Sequence, residues 1–68
     1  MVEVFKTNVQ DKIIADNITA ELRSLFGGNI NFDLDDCDKI LRIESEEIFP
    51  EKISEVLLCK GFTCEVLE

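Results

Sequence analysis

Three thiols and a cluster of carboxylates are the residues in this chain whose types could carry chemistry. Cys37, Cys59 and Cys64 carry no Cys-x-x-Cys spacing. As thiolates they could hold a soft ion such as Cu(I), or Zn(II). An odd cysteine count outside a secreted scaffold reads as reduced thiols, not as a disulfide framework. Cys64 alternates with Phe62 and Val66, which reads as a small core residue on a strand face. Cys59 lies off the Ile53, Val56 and Leu57 stripe and reads as half exposed. The thiols are therefore read as structural, and a site built from Cys37, Cys59 and Cys64 is the alternative. Asp33, Asp35, Asp36, Asp38 and Glu44 invite a calcium loop, since Asp33-x-Asp35 with Glu44 in twelfth place mimics an EF-hand. That pattern needs Gly where Asp38 stands, and a helix where Lys39–Glu44 reads as a strand. The acidic run is better read as a hairpin whose repulsion discourages edge-to-edge aggregation. The chain has no His, Tyr or Trp, and no Ser or Cys with an available base. The expectation is a non-enzymatic protein without a cofactor.

These residues hang on six elements. Val2 to Lys6 alternates as a strand, with Val2 and Val4 on one side and Glu3 and Phe5 on the other. Asn8 is a plausible helix cap, with Asp11 placed to favour the first-turn amides. Ile14, Ile18, Leu22 and Leu25 follow as one helical face, and Gly27-Gly28 stops the helix. Ile30, Phe32 and Leu34 alternate as a second strand, Asp35 to Asp38 turns, and Leu41 and Ile43 mark a third. Pro50 suits a helix start, Ile53, Val56 and Leu57 face inward, and Lys60-Gly61 ends the helix. Phe62, Cys64 and Val66 alternate as the last strand.

Strand, helix, strand, strand, helix, strand predicts a single α+β domain over residues 1–68. Its expected form is a ferredoxin-like βαββαβ sandwich, a four-stranded antiparallel sheet with both helices on one face. Strand directions then bring three connections to one end: Thr7–Asp11, Asp35–Asp38 and Lys60–Gly61.

Composition narrows the partners. Fifteen acidic and seven basic side chains leave a net charge of −8. Nucleic-acid binding needs clustered Lys and Arg on phosphates, and here they are scattered, so no nucleic-acid partner is expected. No stretch approaches the roughly 18 apolar residues of a membrane helix, so no membrane insertion is expected. The N-terminal MVEVFKTN has no basic region followed by an apolar core, and a cytoplasmic location is expected.

The element spacing resembles the heavy-metal-associated domain of copper chaperones and copper-pumping ATPases. FPEKISEVLLCKGF looks like that family's second helix, ending in Gly and an aromatic, and Ile18 and Leu22 fit the apolar positions of its first helix. The resemblance implies a metal loop after the first strand, Met-x-Cys-x-x-Cys. Here that loop reads TNVQDKII, with Val9 at the Met, Asp11 at the first Cys and Ile14 at the second. A carboxylate and an aliphatic group cannot replace two soft thiolates. The chain thus reads as a variant of that family without its metal site.

The remaining surface is the outer sheet face. With Val2, Val4, Leu41, Ile43, Cys64 and Val66 toward the helices, Phe5, Ile40 and Leu67 face outward as an apolar patch. One Phe on an acidic domain does not make the base-stacking platform of RNA-binding domains with this topology. Nor does the first loop offer the phosphate-binding Arg of an acylphosphatase. The favoured expectation is an interaction or regulatory module that binds a protein partner or self-associates. Soft-metal handling through the cysteines and small-ligand sensing are the alternatives.

Overall fold

The structure, a computed structural model, describes residues 1–67. Strands β1 (Val2–Thr7), β2 (Asn29–Asp33), β3 (Ile40–Glu44) and β4 (Cys64–Val66) alternate with helices α1 (Lys12–Phe26) and α2 (Pro50–Cys59) in the order β1-α1-β2-β3-α2-β4. The strands form one antiparallel sheet in the order β2-β3-β1-β4. This is the ferredoxin-like α+β arrangement that the sequence predicts.

Local signals explain each boundary. The Asp11 carboxylate accepts from the backbone of Ile13 at 2.8 Å and Ile14 at 3.2 Å, so Asp11 is the N-cap of α1. Such a cap contributes about 1 kcal/mol. Asn8, the expected cap, instead accepts from the Thr63 backbone at 2.8 Å and ties the first loop to the start of β4. Gly27 ends α1 at φ 73 and ψ −166, a region open essentially to glycine alone. Pro50 opens α2. At the other end Gly61 donates to the Leu58 carbonyl and Phe62 to that of Leu57, the paired bonds of a Schellman motif.

The core lies between the sheet and the helices. Phe5, Ile30, Leu41 and Ile43 from the strands meet Ala15, Ile18 and Leu22 of α1 and Ile53 and Leu57 of α2 in one buried cluster. Two sequence expectations are corrected here. The buried face of α1 runs through Ala15, Ile18 and Leu22, with Phe26 packed beside it, while Leu25 is 59% exposed. Ile14, 37% exposed, also lies off that stripe.

The second correction concerns β1. Phe5 pairs with Leu41 and Glu3 with Ile43, so their side chains share the helix-facing side. Phe5 is fully buried, whereas Val2, opposite Glu44, is half exposed on the outer face. Alternation alone leaves two choices of face, and Glu3 argues for turning that side outward. Glu3 lies near the strand end and stays half-buried, so the mid-strand Phe5 decides. Burying a Phe stabilises by roughly 1.5–3 kcal/mol.

Candidate functional site

The first loop and the hairpin meet at one end through hydrogen bonds, and the first loop also bonds to Thr63, just beyond Lys60–Gly61. Thr7, the one buried polar residue among the described residues, donates its hydroxyl to the Lys39 carbonyl at 2.6 Å and accepts from the Val9 amide at 3.3 Å. Its own amide donates to the Asp38 carbonyl at 3.1 Å. Lys39 closes the hairpin in a left-handed conformation, φ 46, and its ammonium donates to the Leu34 carbonyl at 2.8 Å.

Two of the three residues at the positions of the resembled metal loop hold structural roles. Val9 is fully buried in the core, Asp11 caps α1, and Ile14 is a partly exposed aliphatic. This donor set does not fit a soft metal ion.

The cysteines do not converge into one three-ligand group. Cys37 and Cys59 are exposed and Cys64 is half-buried against the core. Among the described residues, one group of three possible ligand atoms lies within 4.8 Å, that of Asp36, Cys37 and Asp38. Its carboxylates already shape the hairpin, since Asp36 accepts from the Asp38 amide at 2.9 Å and Asp38 sits 3.7 Å from Lys6. Asp33 likewise accepts from the Asp35 amide at 3.2 Å, a turn contact and not a calcium loop. Burial pushes the Cys64 thiol above its ordinary value of 9.0. A Ser54 hydrogen bond opposes this and Glu65 adds to it, but the Ser54 hydroxyl already donates to the Cys64 carbonyl at 3.0 Å, so burial prevails.

The expected outer patch loses its centre, because Phe5 points into the core. Leu67 remains at 41% exposure and Ile40 is half-buried. The Leu67 amide donates to the Val4 carbonyl at 2.8 Å, which sets these two side by side on the outer face, with Val2 half exposed next along β1.

A different surface emerges at the β2 edge. Met1 and Ser45 exchange backbone bonds at 2.7 and 3.0 Å, so the alternate pairs Glu3–Ile43 and Phe5–Leu41 are the bonded pairs of the β1–β3 ladder. Ile40, Arg42 and Glu44 then turn their backbone groups to Asp33, Asn31 and Asn29. The amides and carbonyls of Ile30 and Phe32 are left on the open edge. Beside them a groove of about 620 Å³ runs between β2 and α1. Ala15, Thr19 and Ala20 form its helical wall, and Ile30, Phe32 and Leu34 form the strand side. Sequence reading missed this surface. Its signals were the small residues on one side of α1 and a β2 strand, NINFD, without Lys or Pro.

The other edge is blunted. β4 has three residues, and its outward Cys64 carbonyl is occupied by Ser54. Comparison with known proteins finds no matching family model, no matching curated protein and no matching solved structure.

Proposed function

We propose that this chain is a non-enzymatic protein-interaction module on a heavy-metal-associated-like scaffold, acting in the cytoplasm, in which the metal loop has become a helix cap and core anchor. The observation that carries the reading is the open β2 edge. Unpaired backbone donors and acceptors at Ile30 and Phe32 lie against a recess lined by half-buried Phe32 and Leu34. Backbone groups on an edge supply affinity for another chain, and adjacent recesses supply selectivity. Metal handling through Cys37, Cys59 and Cys64 gains no support from three sulfurs that are not gathered.

Display of random peptides against the immobilised domain tests the module reading independently of any chosen surface. Enriched sequences that compete with one another for one site are the expected result. Repeated selection without enrichment would remove the reading.

A further inference from the structure

The β2–α1 groove carries enough detail to name the chemistry of its occupant, an inference that rests on the module reading above. β2 presents backbone groups at alternate residues, Ile30 and Phe32, whose side chains point toward the helices. An incoming strand can therefore pair with both residues while its own alternate side chains enter the groove. The helical wall makes room, since Ala15, Thr19 and Ala20 are short, and the Thr19 hydroxyl is turned back onto the Ala15 carbonyl at 2.8 Å.

Charge then selects among possible strands. Lys12, Asp16, Arg23 and Asp35 stand along the groove, and Asp33 borders it with its side chain on the outer face of β2, beside the open edge. Lys12 is 3.5 Å from Asp16, so the two largely neutralise each other. Because α1 and β2 run in opposite directions, Asp33 and Asp35 lie at one end of the groove and Arg23 at the other. The acidic end continues into Asp36 and Asp38 of the hairpin, where Lys6 at 3.7 Å from Asp38 and the Lys39 ammonium on the Leu34 carbonyl offset part of the charge, and four carboxylates against two cations leave that end negative. A second copy of this chain would bring another net charge of −8 to an acidic surface, and like charge disfavours that pairing.

We infer that the groove accepts an extended, basic segment of another protein, which adds a fifth strand to the sheet at β2. Its apolar residues alternate into the groove between Phe32 and Ala20. Its Lys or Arg residues lie over the Asp33–Asp35 end. Added backbone bonds at Ile30 and Phe32 hold it in register.

The test titrates isotope-labelled protein with a panel of acetylated octapeptides that alternate Lys or Arg with Val, Ile or Leu. Matched peptides with Glu in place of the basic residues serve as controls. Saturable binding is expected, with amide shifts centred on β2 and slowed hydrogen exchange at Ile30 and Phe32. The Glu series should bind at least tenfold more weakly. Ala20→Lys places a long cation on the exposed helical wall, should leave the fold intact, and should weaken basic-peptide binding at least tenfold. Failure of every basic peptide to bind would overturn the inference. Shifts spread over the acidic hairpin without protection at Ile30 and Phe32 would also overturn it, while leaving an interaction module of another kind. Peptide-free dimerisation that protects the same two amides would show that a second copy is the occupant.

Discussion

Thr7 is the residue on which the loop end depends. Its hydroxyl serves both the Lys39 carbonyl and the Val9 amide inside a buried site. Thr7→Val keeps the shape but orphans both partners, and the cost of unmet buried polar groups is about 1–3 kcal/mol. Urea unfolding of the variant should show a lowered midpoint with an unchanged slope. An unchanged midpoint would mean that water reaches these groups. Cys64 behaves differently from the other two thiols. Burial favours its neutral form in the folded chain, so its contribution to stability is fully present below pH 9.0 and is lost as pH rises above that value. Iodoacetamide at neutral pH should label exposed Cys37 and Cys59 first, with Cys64 lagging, as read by peptide mass spectrometry. Equal labelling of all three would contradict the packing. Residue chemistry was only partly legible beforehand. The small-core reading of Cys64 follows from strand alternation, whereas the Thr7 bonds depend on a hairpin more than thirty residues away.

At the scale of elements, the turns and caps are the most legible features because their causes are local. Gly27-Gly28, Pro50 and Lys60-Gly61 all mark the boundaries expected of them. Gly28 adds a tertiary reason to its local one. A Cβ there would lie 2.6 Å from the Glu44 carbonyl, and its φ is +83. Gly28→Ala therefore combines left-handed strain of about 1–2 kcal/mol with a backbone clash. A drop in thermal midpoint larger than that of Gly61→Ala, where φ is +89 but the Cβ meets open space, is the expected comparison. Equal drops would show that β3 yields without cost. Strand faces were less legible than boundaries. The alternation VEVF fits either face, and only the pairing of Phe5 with Leu41 settles it. The outer patch was misplaced for that one reason. The choice of cap had a similar limit, since Asn8 and Asp11 are both competent and the helix start decides between them.

At the scale of the molecule, charge dominates. Fifteen acidic side chains oppose seven basic ones, while the ion pairs, such as Lys60 with Glu21 at 2.9 Å, are partly or well exposed. Exposed pairs contribute about 0–1 kcal/mol each, so net repulsion is the larger effect. Salt that shortens the screening length to about 10 Å or less should raise the thermal midpoint by a few degrees and weaken basic-peptide binding. A midpoint that falls with salt would show the ion pairs outweighing the repulsion.

By itself the sequence determined what depends on short-range chemistry: six elements, their order, the glycine and proline boundaries, and a first loop whose Val9, Asp11 and Ile14 cannot hold a soft ion. Element order and antiparallel pairing then dictated that three connections share one end. Tertiary structure alone decided which side of β1 is buried, which residue caps α1, and which sheet edge is open beside a groove. Those outcomes turn on register and on the approach of a helix to a strand, and both are set by partners distant in the chain. The open edge at Ile30 and Phe32 is the clearest case, because a backbone group is unpaired only with respect to a neighbour that the sequence does not place.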